Sequence, residues 1–446
     1  ELLPLLVGRE QEAARRERMR VRHTGIVQYQ WAKGGARLLF PLSGALYLYD
    51  LDAPDGTRVR RLTDPGDGPA FDPQFSPRGA AVAFVRGGEL YVVDVETGEQ
   101  RQLTTGAGPT VQNGVAEYVA QEEMSRHTGY WWSPGGTRIA YAQVDEAQVP
   151  LVQRPAYYPD RVQVVEQRYP AAGQPNALVR LGVVDLATGE TVWMNGLDGA
   201  PLCAGQVDQP RAAYLARVDW LPGGQELAVQ LQSRDQRTLL LLREEDPAWV
   251  ELHDDLRFLK ESEQFLWASE RTGFKHLYLY ALDGTLVRPL TAGDWPVSKL
   301  AEVDEAGGWA YFEGWTESPL ERHVYRVSLD PDARDVAPEP VTAAAGWHSA
   351  VLSPGATHLV DTHSSLLAPP QVHLYTVGGE HLTALEPNLL PERDEVHWIE
   401  PQFVTLEAED GTPLHARLTL PLGFAPGRTY PAIVKVYGGP HAQTVA

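Results

Sequence analysis

The chain has 446 residues, 43% of them apolar, with 59 acidic against 38 basic side chains, a formal net charge of −21 and a single cysteine. That charge repels phosphate backbones and anionic lipid, so nucleic acid is not expected as a partner and a cationic or amine-bearing ligand fits better. One cysteine, Cys203, allows neither an internal disulfide nor a thiolate-rich zinc site, and no run approaches the ~18 apolar residues of a membrane span.

The chain starts at Glu1 rather than Met, as a processed or truncated product would. Arg9 to Arg20 is rich in Arg, Glu, Gln and Ala and free of Gly and Pro, so residues 1–24 are expected to hold one short helix. From Ile26 the texture becomes short β-type runs such as Ala45-Leu46-Tyr47-Leu48-Tyr49, punctuated by Gly, Pro and Asp. The punctuation repeats. Ser76-Pro77-Arg78-Gly79, Ser133-Pro134-Gly135-Gly136, Leu221-Pro222-Gly223-Gly224 and Ser353-Pro354-Gly355 each precede an apolar run, the later ones at multiples of about 44 residues. A second signature, a Leu-Tyr strand followed by a Gly turn and Leu-Thr, links Leu90-Tyr91 to Leu103-Thr104, Leu277-Tyr278 to Leu290-Thr291, and Leu374-Tyr375 to Leu382-Thr383. Tyr47 to Leu62-Thr63 is a weaker copy.

A period of about 40–45 residues with four short strands is what a β-propeller blade requires, because each blade buries its faces only against its neighbours. Residues 25–398 divided by that period suggest eight blades, or seven if insertions blur the count. The expected class is therefore mainly β, an eight-bladed β-propeller. Residues 399–446 change texture again. Phe403-Val404-Thr405-Leu406 and Leu414 to Leu420 read as a hairpin, and Ala432 to Val436 reads as an apolar strand running into Tyr437-Gly438-Gly439-Pro440, like the entry to a parallel α/β sheet.

The sequence contains no Gly-x-Ser-x-Gly elbow, no phosphate-binding Gly-x-x-x-x-Gly-Lys loop and no His-Glu-x-x-His motif, and its 13 histidines are scattered. No cofactor or metal is expected, and the chain by itself looks catalytically incomplete. Its sharpest internal feature is Gln121-Glu122-Glu123 before Thr128-Gly129-Tyr130-Trp131-Trp132. By spacing alone the two glutamates are solvated loop residues, or partners of Arg126 along a helical turn. They fall, however, where the repeat unit carries extra chain, and insertions in a rigid scaffold are natural places for ligand contacts.

Gln121-Glu122-Glu123 with Thr128 to Pro134 resembles the glutamate motif of the dipeptidyl peptidase IV family, in its dipeptidyl peptidase 8 and 9 branch. The resemblance continues through Val144 to Pro150, Arg168 to Asn176 and Arg271 to Tyr278, and reaches Val436-Tyr437-Gly438-Gly439-Pro440-His441-Ala442-Gln443. It implies a propeller covering an α/β-hydrolase domain with a Ser-Asp-His triad, which would begin at residues 399–446 and lie mostly outside this chain, leaving the chain alone inactive. It implies a serine exopeptidase releasing N-terminal dipeptides with Pro or Ala in second position. Carried over residue by residue, Glu122 and Glu123 match the pair that binds the free α-amine of a peptide substrate, and Tyr437 matches the tyrosine of the oxyanion hole. Where that branch has a substrate-binding arginine this sequence has Ala70, and Arg126 is a candidate replacement by proximity alone.

The plainer readings are a wall tyrosine for Tyr437, a structural loop histidine for His441 and a small buried side chain for Cys203. Family members often dimerise, so a homodimer of the complete protein is a further partner the resemblance suggests. The compartment expected is cytoplasmic, with a periplasmic alternative. Two other functions fit the same pattern. One is another prolyl oligopeptidase-clan peptidase, such as an acylaminoacyl peptidase, and the other is a stand-alone propeller acting as a binding platform.

Overall fold

In the computed structural model the described residues are 18–19, 25–157, 160–195, 203–204, 213–233, 250–333, 337–391, 395, 399–437 and 445. The expected N-terminal helix falls almost entirely outside them, as do His441 and the side chain of Cys203. The chain divides into two compact units, residues 1–245 and 246–446.

The fold is mainly β, with successive antiparallel sheets in a propeller arrangement. In the first unit, blade 1 comprises Gln30–Trp31, Arg37–Leu42, Ala45–Asp50 and Val59–Arg61, and blade 2 comprises Phe71–Phe75, Ala81–Arg86, Glu89–Asp94 and Gln100–Gln102. Blade 3 is built on Arg138–Asp145 and Leu178–Asp185, and a two-stranded sheet, Ala213–Trp220 with Leu227–Ser233, follows it. In the second unit, blade 4 runs from Arg257–Phe258 to Leu286–Pro289, blade 5 from Val297–Asp304 to Glu339–Pro340, and blade 6 from Trp347–Leu352 to His381–Glu386.

Each core joins two successive sheets. Leu39, Leu46 and Leu48 of blade 1 pack on Phe75, Val82 and Phe84 of blade 2. Phe71 and Leu90 of blade 2 pack on Tyr130, Ile139 and Tyr141 of blade 3. In the second unit Leu266 and Leu279 meet Ala310 and Phe312. A side chain such as Phe84, fully buried, contributes about 1.5–3 kcal/mol by leaving water, and it can do so only because the next blade covers it.

Both sequence signatures have a structural cause. In the turn, the Ser76 and Ser133 hydroxyls accept the amide protons of Ala81 (3.1 Å) and Arg138 (3.0 Å), which fixes the entry to the following strand. The turn glycines Gly79 and Gly136 both sit at φ 71°, a left-handed conformation that a side chain disfavours. In the second signature, the threonine of Leu-Thr is a latch at Thr63, Thr104 and Thr291, whereas the Thr383 hydroxyl turns to the Ala384 carbonyl. The latch hydroxyl accepts the Leu46 amide at Thr63 (2.9 Å), the Leu90 amide at Thr104 (2.9 Å) and the Leu277 amide at Thr291 (3.0 Å). Thr342 does the same for Val324 (3.0 Å) although it follows a valine.

Two expectations are corrected. Six sheets of four or more strands form among the described residues, not eight. Blade 3 absorbs a helix and the hairpin Leu151–Tyr157 with Val162–Arg168, so its strands spread over residues 111–204, about two repeat periods, and the sheet of Ala213–Trp220 with Leu227–Ser233 has two described strands rather than four. Downstream, Gln402–Glu407 pairs with Pro413–Leu418 as the expected hairpin. Ala432 to Val436 forms no strand, and Ile433 is 100% exposed. An apolar strand of a parallel sheet needs neighbours on both edges, and no described strand pairs with this segment.

Blade 6 holds a buried imidazole against a carboxylate. His348 Nδ1 lies 2.7 Å from Asp361 Oδ2 and Nε2 lies 2.7 Å from the Ala344 carbonyl. His363 stacks on it at 4.4 Å. When protonated, the ring donates to both acceptors. Burial alone would lower the pKa of His348, but the Asp361 hydrogen bond, the Ala344 carbonyl and the Asp361 charge together raise it above the ordinary value. A raised folded-state pKa gives stability that is complete below the unfolded histidine value of about 6.5 and is lost as pH rises through the folded value. The second unit should therefore lose stability over that range in a denaturant titration, and the neutral pair His348→Gln with Asp361→Asn should flatten the loss. An equal decline in the double variant would contradict this. Separately, Thr63→Val strands the Leu46 amide and should lower the unfolding free energy of the first unit by about 1–3 kcal/mol in a denaturant titration; an unchanged value would show that the latch is dispensable.

Candidate functional site

One edge of blade 3 is interrupted. Val111–Asn113 and Tyr130–Trp132 both pair with Arg138–Asp145, Asn113 opposite Gln143 and Tyr130 opposite Tyr141. Residues 114–129 are thus an excursion from a single sheet edge. Its ends are tied to one residue of the neighbouring strand: the Gly114 amide donates to the Ala142 carbonyl and the Ala142 amide to the Gly129 carbonyl, each at 2.8 Å. The two ends then run so close that a Cβ on Gly129 would lie 2.2 Å from the Val115 carbonyl carbon.

The excursion carries helix α1, Tyr118–Glu123. Ala120 and Met124 are buried, Glu122 is half-buried and Glu123 is exposed. The helix therefore turns Ala120 inward and exposes Glu123 at its C-terminal end, with Glu122 half-buried beside it. Ser125 follows with φ 52°, a left-handed residue that ends the helix and turns the chain back.

Arg126 does not pair with Glu122 or Glu123. It is 4% exposed, and its Nη2 donates to Glu117 Oε2 at 2.7 Å, its Nη1 to the Thr128 carbonyl at 2.9 Å and its Nε to the Leu215 carbonyl at 3.2 Å. So engaged, it is not free to hold a substrate. Ala70, which the sequence resemblance sets where the family has its arginine, is a core residue between blades 1 and 2.

Around α1 stand residues that the linear motif does not reveal. Tyr118 meets Tyr169 edge-on at 5.2 Å, and the Arg18 guanidinium lies 5.0 Å from the Tyr118 ring centre. Burial raises the Tyr118 pKa, and the Glu122 charge raises it further. Burial likewise raises the pKa of Glu146, against the lowering effect of Arg18 and Arg168. The i, i+4 spacing of Tyr118 and Glu122 was a readable signal; Tyr169, 51 residues on and beyond the hairpin, was not. Tyr437 lies in the second unit, outside any strand and 67% exposed. Among the described residues no group of three His, Cys, Asp or Glu side chains could hold a metal ion, and no helix is long and apolar enough to cross a membrane.

Successive blades packed face to face place the chain in the β-propeller class. Residues 37–370 match the family described as "Dipeptidyl peptidase IV (DPP IV) N-terminal region", and the chain belongs to that family. It is 25% identical to human dipeptidyl peptidase 8 over an alignment 543 positions long, covering 99% of this chain and 59% of the relative. It is 28% identical to a probable dipeptidyl-aminopeptidase B of Emericella nidulans, covering 90% of this chain and 48% of the relative. Among solved structures, dipeptidyl peptidase 4 of Porphyromonas gingivalis superposes with a TM-score of 0.77 at 25% identity, covering 92% of this chain and 60% of that one. The chain thus spans between 48% and 60% of the lengths of these relatives.

The crossing at Gly129 makes a sharp test of the excursion. Gly129→Ala must push the Val115 backbone aside and should destabilise the first unit by about 1–3 kcal/mol or more. An unaltered thermal midpoint would mean that the crossing is not held as described.

Proposed function

We propose that the complete protein is a serine exopeptidase that releases dipeptides from peptides with a free N-terminus, with Pro or Ala in second position. Glu122 and Glu123 receive the substrate's α-ammonium group. Residues 25–398 form the propeller that carries them, and residues 399–446 begin the hydrolase domain, where Tyr437 donates to the developing oxyanion. The observation that carries the reading is the position of two adjacent glutamates, Glu122 half-buried and Glu123 exposed, on the excursion at residues 114–129 from one edge of blade 3. Family membership and the names of the relatives support the reaction class.

The energetics suit that role. An exposed ion pair contributes only ~0–1 kcal/mol, whereas a desolvated charge held between partners can contribute about 2–5 kcal/mol. Only a peptide whose N-terminus reaches the pair gains this. An N-acylated or internal segment would leave two carboxylates covered and unsatisfied, so the pair measures two residues from the scissile bond by rejecting everything else.

In the complete protein, Glu123→Ala should lower kcat/KM for Gly-Pro-p-nitroanilide by about 30-fold or more, the equivalent of losing ~2 kcal/mol of ammonium binding. Unchanged cleavage would sink the assignment.

A further inference from the structure

A helix of six residues is too short to hold its own direction in water. Something outside α1 must therefore fix where Glu122 and Glu123 point. Glu117 occupies the N-cap position, yet its side chain caps no amide; it turns instead to Arg126. Three acceptors converge on that guanidinium from three separate stretches of chain: Glu117 before the helix, Thr128 after it, and Leu215 in the strand Ala213–Trp220 of the following sheet. The Arg126 backbone amide also donates to the Ala120 carbonyl at 2.9 Å, closing the reversal at Ser125. The Trp131 ring, at 5.8 Å from the guanidinium carbon, adds a cation–π contact.

We propose that the buried Glu117–Arg126 pair is a positioning device that aims the Glu122–Glu123 carboxylates by clamping both ends of α1 to the adjacent sheet. The proposal rests on the amine-binding reading above. The clamp depends on the fork of arginine. Lysine keeps the charge, but its three N–H groups share one nitrogen and cannot reach acceptors that the guanidinium meets from three separate nitrogens. Misplacement of a binding group by about 1 Å can cost on the order of 100-fold in rate, so a loosened clamp should be visible in kinetics without unfolding the blade.

The test uses the complete protein and two probes, Ala-Pro-p-nitroanilide with a free amine and its N-acetyl form. Arg126→Lys should lower kcat/KM for the free-amine probe by about tenfold to 100-fold, mainly through KM, while the slow N-acetyl rate stays constant, so that discrimination between the two collapses. A merely structural role would lower both rates together, and that result, or unaltered discrimination, overturns the proposal. Glu123→Gln in the same assay separates the two ideas. If Glu123→Gln leaves discrimination intact, the amine reading itself fails. If Glu123→Gln abolishes discrimination and Arg126→Lys does not, only the clamp fails. Should Arg126→Lys not fold, Glu117→Gln replaces it with the same expected outcome. If neither variant folds, the pair serves folding rather than aim and the proposal is overturned.

Discussion

A four-stranded sheet that is apolar on both faces cannot exist alone in water. The rest of the structure follows from that constraint. Leu46, Phe84 and Leu90 are each buried by residues of an adjoining blade, so the unit of stability is the contact between two blades rather than the blade. A chain built this way must place its strands in register with what comes before and after, and it tolerates additions only where they leave the sheet by an edge. The excursion at residues 114–129 obeys that limit, since it departs from and returns to the same partner strand.

The repeat was legible because its markers have local causes. A serine that caps the next strand entry and a glycine at positive φ are set by a few neighbouring residues, and a threonine hydroxyl that takes a strand amide 14–18 residues back still acts within one repeat, so all three recur at a regular spacing. What the period could not give was the number of blades. Blade 3 spends a helix and a long hairpin inside one repeat, and division by an average length has no means of detecting an interior addition. The strand expected at Ala432 to Val436 illustrates the opposite error: its composition is right, but composition does not supply the neighbouring strands that a parallel sheet requires.

The candidate site was legible to a similar degree. Glu122 and Glu123 stood out because they sit in a motif that resembles the family's and because extra chain surrounds them. Their supports did not stand out. Arg126 reaches back nine residues to Glu117 and across to the backbone of Leu215, and neither distance follows from helical or strand periodicity. Arg18 and Tyr169 approach Tyr118 from distant parts of the chain. The chemistry is therefore written in short motifs, whereas its geometry depends on long-range contacts that motifs do not encode.

The negative charge of −21 first served to dismiss phosphate-bearing partners. It has a local expression in the carboxylates grouped around α1, where burial and neighbouring arginines, rather than the overall count, decide what each group can bind. The most direct measurement of the central claim is a crystal structure of the complete protein with a bound dipeptide. The account predicts the α-amine nitrogen about 3 Å from a carboxylate oxygen of both Glu122 and Glu123. An amine held by other residues, with the pair facing open solvent, would contradict it.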